Sequence, residues 1–327
     1  MRGTRFIAGT AAVCAVTVLA ACQDDTLTNA GPDGSFGAPQ LSVSGGDDPA
    51  VQLANYMEAV NAALAASGAG YQAVMAEAIT TAESGEVGIT VLAKDVGNKQ
   101  LGFDFVPNDG RRGWSSAGGN AITYAIDQTG DAVPPFGGLG AVQTDAAIVR
   151  GHNSWEALSC SSLGQSRNPD FGLDIGVVAF QFSGGAVGSP FVFADVQHAG
   201  WRDLNFGGGV LGVTFTFGFT GGTCSGIFTD IDGNGKCDTA FREIYYDPSF
   251  NWFDDGQNNV DVESIAVHEI GHGLSQAHFG SVVFKNDGSL ARSPFAVMNA
   301  IYSQPLQALQ GTDIGGHCSN WAEWPNN

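Results

Sequence analysis

Three histidines and one glutamate around residue 270 have the types and spacing needed to hold a metal ion beside a base. His268 and His272 are four residues apart, so on a helix both side chains project from one face and can contact one ion. Glu269 lies next to the first histidine, where a carboxylate can act as a base without being a ligand. His278 would supply a third nitrogen ligand.

The third ligand requires a turn in the chain after His272. A continuing helix would point His278 away from the other two histidines, so we expect the turn at Gly273 or Ser275. A positive φ at Ser275 would cost about 1 kcal/mol because that residue is not glycine. Three protein ligands would leave the fourth position of a tetrahedral zinc open, as in catalytic sites.

Residues 268–278 resemble the H-E-x-x-H-x-x-G-x-x-H motif of the metzincin peptidases, with Ser275 in place of the family glycine. Residues 296–302 resemble the methionine turn of that family through Met298. Residues 244–264 resemble bacterial matrixins, so the resemblance covers roughly residues 115–327. It implies an α+β fold with a twisted mixed sheet, an active-site helix and a Met-turn.

The activity that this resemblance implies is zinc-dependent cleavage of peptide bonds in extracellular proteins or peptides. His268, His272 and His278 would bind Zn²⁺, and Glu269 would be the general base for the zinc-bound water. Met298 would form an apolar floor beneath the ligands. The alternative is a catalytically inactive surface lipoprotein that keeps the fold as a binding module. The presence of Glu269 speaks against it, since zinc binding alone needs no base.

The clearest strand pattern lies at residues 210–219, where apolar residues alternate with glycine and threonine. This pattern predicts a half-exposed strand. In matrixins an edge strand over the cleft binds the substrate as an added strand. The segment at 210–219 is a candidate for that edge, and an ordinary inner strand is the alternative.

Other elements of the expected catalytic domain, residues 113–327, follow from local patterns. Residues 121–127 alternate as a strand, and residues 144–158 predict a helix with Thr144 as N-cap. Residues 175–182 and 190–197 are apolar on both faces, which indicates buried strands.

An acidic loop at residues 229–238 follows the pattern D-x-D-x-N-G, whose spacing turns alternate oxygens toward one hard cation. The candidate calcium ligands are Asp230, Asp232, Asn234 and Asp238. The twelfth loop position is Phe241 instead of a glutamate, so a hydrogen-bonded Asx turn without an ion is the alternative.

Four cysteines remain once the N-terminal export segment is set aside, an even number that fits an oxidising compartment. Three pairings are open to them. Cys224 and Cys237 bracket the acidic loop, so we expect a bridge there, and Cys160 with Cys318 follows by elimination. The remaining histidines are interpreted as ordinary polar residues: His152, His198 and His317.

The N-terminal region predicts export. Residues 1–21 form a signal peptide with Arg2 and Arg5 before a short apolar run. Residues 19–22 resemble a lipobox, which implies lipidation of Cys22, and residues 22–48 have the composition of a flexible tether. We expect an outer-membrane or cell-surface lipoprotein; an ordinary signal cleavage with secretion is the alternative.

The segment at residues 49–112 is alanine-rich and then strand-like, and we expect two short helices followed by short strands. It is either a propeptide that restrains the enzyme and is cut near Arg111 and Arg112, or a permanent accessory domain. Sequence alone leaves both open.

Composition limits the partners. The 327 residues carry a net charge of −20, which repels nucleic-acid phosphates and anionic lipid surfaces. We expect a monomer that acts on a protein or peptide substrate, binds no nucleic acid, and contacts a membrane only through the N-terminal lipid.

Overall fold

The computed structural model describes residues 49–85, 87–92, 102–112, 114, 119–204, 206–257, 260–287 and 289–326. The expected signal peptide, Cys22 and the tether lie outside the described residues. The described part combines helices with one large mixed sheet, which confirms the α+β class. Across these ranges the structure contains no helix that is long and apolar enough to cross a membrane.

The helices of the described part are α1 (Pro49–Ser67), α2 (Ala141–Glu156), α3 (Val177–Phe182), α4 (Val262–Gly273) and α5 (Gly311–Trp321).

The first eight strands are β1 (Tyr71–Thr81), β2 (Ile89–Leu92), β3 (Phe103–Asp104), β4 (Ile122–Ile126), β5 (Gln165–Arg167), β6 (Val196–Trp201), β7 (Val210–Cys224) and β8 (Cys237–Tyr246). The later strands are β9 (Trp252–Phe253), β10 (Val260–Asp261), β11 (Ser281–Phe284), β12 (Leu290–Ser293) and β13 (Ile301–Tyr302).

The main sheet has the strand order β13-β1-β7-β8-β6-β4-β5, with β2 added to β1 and β3 added to β8. Strands β8, β6, β4 and β5 are parallel. Strand β7 is antiparallel to β8, and β1 is antiparallel to β7. Two short pairs lie outside this sheet, β9 with β10 and β11 with β12.

Two hydrophobic cores lie against the sheet. One joins α1 and α3 to alternate residues of β7, including Val213, Phe215 and Phe217. The other joins α2 and α4 to residues such as Leu211 and Ile244. Because successive strand residues point to opposite faces, each face of the sheet is covered by its own helices.

Strand β7 is an inner strand, so the prediction of a half-exposed strand was wrong. Its first ten residues are buried, because α1 covers one face while Thr214 on the other face contacts α4. Its two edges pair with β8 and with β1. A pattern of alternating apolar and small residues does not show whether the small side faces water or a closely packed helix.

Three further local predictions were wrong in whole or in part. The strand expected at residues 190–197 begins only at Val196, as β6. The second expected helix is instead β1, whose alanine-rich sequence forms a strand because it pairs with β7 along nine residue pairs. The expected strand at residues 175–182 contains the short helix α3, since a brief apolar run carries no period that separates helix from strand. The helix and strand expected near residues 144–158 and 121–127 are present as α2 and β4, although α2 begins earlier with Gly140 as its N-cap.

The N-terminal segment at residues 49–112 contributes to the same sheet as the rest of the chain. Near its end, Arg112 is buried and forms an ion pair with Asp195 at 2.9 Å. Arg111 bonds Asp109 and Asp238, each at 2.7 Å. These contacts argue against cleavage at the arginine pair while this part of the chain is folded.

Both expected disulfides are present, which confirms their pairing. Cys224 bonds Cys237 across the acidic loop, and Cys160 bonds Cys318 between the end of α2 and helix α5. The second bridge links positions 158 residues apart, so it restricts the unfolded chain strongly.

Candidate metal centre

The three histidines expected to bind a metal converge through their Nε2 atoms. These atoms lie 3.1 Å apart for His268 and His272, 3.2 Å for His272 and His278, and 3.3 Å for His268 and His278. A tetrahedral zinc with Zn–N bonds of about 2.0–2.1 Å would hold its nitrogens roughly 3.3 Å apart. The spacing therefore fits one zinc ion.

The opposite nitrogen of each ring faces an acceptor. Nδ1 of His268 lies 2.7 Å from the carbonyl oxygen of Val297, and Nδ1 of His272 lies 2.9 Å from that of Gln276. Nδ1 of His278 lies 3.5 Å from Oγ1 of Thr90. Carbonyl acceptors keep the proton on Nδ1 and leave the Nε2 lone pair for a metal. Burial lowers the pKa of His268 and His278, which favours the neutral rings that ligation requires. For His272 the effect of burial is outweighed by the carboxylate of Glu77, which raises the pKa of that ring.

Helix α4 presents the first two ligands from a fully buried position. Asp261 caps its start by accepting a bond from the backbone N–H of Ser264 at 2.9 Å. The helix ends at Gly273, and Ser275 adopts a φ of 65°, which turns the chain toward His278. The backbone cost expected at Ser275 is thus present, and its hydroxyl receives a 2.9 Å bond from Arg242.

Glu269 lies beside the ligand cluster without joining it. Its Oε2 accepts a 2.6 Å hydrogen bond from the hydroxyl of Thr214 on β7. Its Oε1 is buried and has no hydrogen-bond partner among the described residues. Burial raises the pKa of Glu269 to about 7, while the charge of His272 and the Thr214 bond lower it. A group with that pKa is suited to proton transfer near neutral pH.

Two glycines allow the close approach of other elements to α4. A Cβ on Gly212 would lie 2.7 Å from Oε1 of Glu269, so only glycine lets β7 pass that close to the carboxylate. A Cβ on Gly271 would lie 2.3 Å from the sulfur of Met298. The methionine turn therefore packs directly beneath the helix that carries the ligands.

Asp313 at the start of α5 fixes this methionine turn. Its carboxylate accepts bonds from the backbone N–H groups of Val297 at 2.9 Å and Met298 at 3.1 Å. The carbonyl oxygen of Met298 in turn accepts a bond from Phe279, next to the third ligand, at 2.8 Å. The turn, α5 and the His278 loop thus form one hydrogen-bonded unit.

A carboxylate from the N-terminal segment also reaches the ligands. Oε2 of Glu77 on β1 lies 3.1 Å from Nδ1 of His272, and both side chains are almost fully buried. A cavity of about 10 Å³ lies between Glu77, His272 and Arg242, and a second one of the same size borders His268 and Ile79. Each of these cavities has room for about one water molecule and none for a peptide.

The acidic loop brings three of its four candidate calcium ligands together. Single carboxylate oxygens of Asp230, Asp232 and Asp238 lie within 4.8 Å of one another. Asn234 instead directs its amide nitrogen to Asp232 at 3.1 Å. The backbone N–H of Asn234 bonds to Asp232 and that of Lys236 bonds to Asn234, as in Asx turns, and the N–H of Gly235 bonds to Asp230. The loop thus shows Asx turns and a carboxylate cluster together, and both interpretations from the sequence stay open.

Phe241 at the twelfth position is buried in the sheet and stacks on Phe217 at 4.2 Å, so it lies away from the loop. Glu243 is also unable to reach the loop. Its carboxylate accepts bonds from the first backbone N–H groups of α3 and from Gln197.

Sequence reasoning missed a second acidic group, formed by Asp127, Asp131 and Asp174. Arg202 forms ion pairs with Asp131 and Asp174, so a guanidinium supplies positive charge there, as Arg111 does at Asp238 of the acidic loop. The other histidines have protein partners: His152 contacts His198 at 2.9 Å and His317 contacts Ser161 at 3.0 Å. This agrees with their interpretation as ordinary polar residues.

Glu77, Thr214 and Asp313 were also missed, because none lies near the histidine motif in sequence. Glu77 could have been noticed as a single acidic residue within the mainly apolar stretch that forms β1. Asp313 could have been noticed as the acidic residue in the first turn of α5. Comparison of the chain with models of known protein families and with curated proteins finds no match.

Proposed function

We propose that the protein is a zinc-dependent endopeptidase of the matrixin-like metzincin type. The observation that carries the proposal is the convergence of three imidazole Nε2 atoms within 3.3 Å beside a buried glutamate whose free oxygen faces no other protein donor in the described residues. The motif resemblance and the methionine packed under α4 support it.

His268, His272 and His278 would hold the ion, each oriented through its Nδ1 contact. Zinc bound there would supply a Lewis acid that lowers the pKa of water to about 7 and polarises a peptide carbonyl.

Glu269 is the proposed general base. Its Oε1 would take a proton from the attacking water and pass it to the leaving amine. Thr214 holds the other oxygen, so the carboxylate keeps its direction during this transfer. Met298 touches no reacting atom in this scheme, and its role is to keep the ligand helix in place.

The setting proposed for this enzyme is outside the cytoplasm. The two disulfides fit an oxidising compartment, and the lipobox-like residues 19–22 indicate anchoring through Cys22. We further propose that the Asp230, Asp232 and Asp238 cluster binds Ca²⁺ as a structural ion. Protein or peptide substrates remain the expected partners.

The test of the proposed function combines metal analysis with a cleavage assay. The purified chain should contain close to one zinc per molecule, and His272→Ala should lose it. Cleavage of a quenched peptide library should depend on that zinc and on Glu269. Zinc retained without cleavage in any form of the protein would favour the alternative, an inactive surface lipoprotein that serves as a binding module.

A further inference from the structure

Strand β1 occupies the edge of β7 that lies next to the ligand cluster. It pairs antiparallel with β7 from Tyr71 opposite Phe219 to Thr80 opposite Val210. Its other edge pairs antiparallel with β2 and, at its end, parallel with β13, which follows the methionine turn. An extended segment of the chain therefore runs between β7 and residues 301–302.

The path of β1 leads across the catalytic groups. Glu77 pairs with Thr214, the residue that bonds Glu269. Its side chain turns toward the helix and contacts His272. Ile79, two residues further, borders the small cavity beside His268. The strand thus passes over both ligands of α4.

Peptides are commonly recognised by adding a strand to a free sheet edge, where main-chain bonds give affinity. On β7 both edges are taken, one by β8 and the other by β1. A peptide could pair with β7 at the level of Glu269 only after β1 has left. We infer, on the basis of the proposed peptidase function, that β1 is an internal pseudosubstrate: the structure is that of the latent enzyme, and displacement of β1 opens its peptide-binding edge.

The docking of β1 is suited to displacement. On the face toward α1 the ring of Tyr71 packs on Phe217 and Phe241, and the rest of that face consists of the small side chains of Ala73, Ala76 and Ala78, which bury little apolar area. On the face toward α4, Oε1 of Glu77 is buried without a hydrogen-bond partner in the described structure. An unpartnered buried carboxylate oxygen makes docking costly, and this cost offsets part of the stabilisation that β1 gains from its pairing with β7.

Glu77 allows a direct test. Glu77→Ala removes the contact with His272, while the Gln276 carbonyl still holds that ring. We expect zinc content to stay the same and cleavage of a quenched peptide to rise roughly 10- to 100-fold. A change of this size corresponds to the loss of one charge-assisted bond that holds β1 in place. Cleavage by Glu77→Gln, which keeps a hydrogen-bond acceptor at this position, should rise less. Gln72→Ala, at the far end of β1 opposite Gly218, is the matched control and should behave like the wild type.

Unchanged or lower cleavage in Glu77→Ala with zinc retained would overturn the proposal. Loss of zinc would also overturn it, because Glu77 would then serve to hold the ligand. If no form of the protein binds zinc or cleaves peptides, the proposed function itself fails, which is a separate outcome.

Hydrogen exchange on the unmodified full chain provides a second measurement that does not depend on a variant. Addition of a peptide hydroxamate, which combines a zinc-binding group with an extended backbone, should speed exchange of the backbone amides of residues 71–81 while α4 stays protected. Tight binding with β1 still protected would overturn the proposal. So would failure of the hydroxamate to bind to protein that contains zinc, because β1 would then be a fixed part of the sheet.

Discussion

The hydroxyl of Thr214 on β7 donates a 2.6 Å hydrogen bond to Oε2 of Glu269 on α4. This bond ties the central sheet to the proposed base and leaves Oε1 as the carboxylate oxygen free for proton transfer. It also places β7, and therefore its partner β1, against the ligand helix. The hydrogen bond from Thr214 to Glu269 thus links the strand that pairs with β1 to the proposed base.

Removing this bond should slow cleavage without releasing metal. Thr214→Val keeps the shape of the side chain but leaves a buried carboxylate oxygen without its donor, which costs about 1.5–3 kcal/mol. We expect kcat to fall by roughly 10- to 100-fold with zinc content unchanged. Thr239→Val is the matched control, because the Thr239 hydroxyl is equally buried and has no hydrogen-bond partner in the described part of the chain. Equal activity of both variants would contradict the role given to Thr214.

Calcium should stabilise the folded protein through the acidic loop. We expect the melting temperature to rise with added Ca²⁺ and Asp232→Ala to lose most of that rise, because a carboxylate of the cluster is gone. Differential scanning calorimetry with and without a chelator measures this. Asp170→Ala, which removes a carboxylate from another exposed turn, should keep the full calcium response. A calcium response that survives in Asp232→Ala would exclude the loop as the site.

The buried His152 should make the protein less stable in acid. Burial lowers the pKa of His152 to about 3, whereas the unfolded chain titrates near 6.5. As the pH falls from 6.5 toward 3, His152 binds a proton in the unfolded state but not in the folded state. The free energy of unfolding therefore decreases in that pH range.

His152→Gln should therefore flatten the dependence of the unfolding free energy on pH by up to about 1.4 kcal/mol per unit. Urea unfolding at several pH values measures this slope. Above pH 7 the difference between the two proteins should not change with pH, which is the internal control. If the plots of unfolding free energy against pH are parallel for the wild type and His152→Gln throughout the acid range, His152 does not contribute to the loss of stability in acid.

Membrane anchoring should depend on Cys22. Replacement by serine removes the thiol that would carry lipid, so Cys22→Ser should move the protein from the membrane fraction to the soluble fraction. Mass spectrometry of the N-terminal peptide identifies the modification. An unmodified Cys22 in a soluble wild-type protein would instead support ordinary secretion.

The site was largely predictable because its core is local in sequence. His268, Glu269 and His272 lie on one helical turn, and the need for a bend before His278 follows from helix geometry. The disulfide pairing was also predictable, since one pair brackets a short loop. The α+β fold class followed from the resemblance of the histidine motif and the methionine turn to the metzincin peptidases.

The surroundings of the site depend on contacts between distant segments, and these were not predictable. An alanine-rich stretch became β1 because β7 offers it an edge, which outweighs helix propensity. The small face of β7 looked exposed but packs on Glu269, and only tertiary structure brings Glu77 to His272. Local patterns show which faces are small or apolar and do not show what covers them.

Zinc-dependent cleavage with Glu269 as the base can be tested by measuring zinc content and peptide cleavage in the wild type and in Glu269→Gln, each with and without Glu77→Ala. We expect close to one zinc ion per molecule in all four proteins, because Glu269 is not a ligand. Cleavage should be highest in Glu77→Ala and should fall by about 10²- to 10⁴-fold when Glu269→Gln is added, since the general base is lost. Full cleavage in the absence of the Glu269 carboxylate, or chains that bind no zinc, would contradict the account.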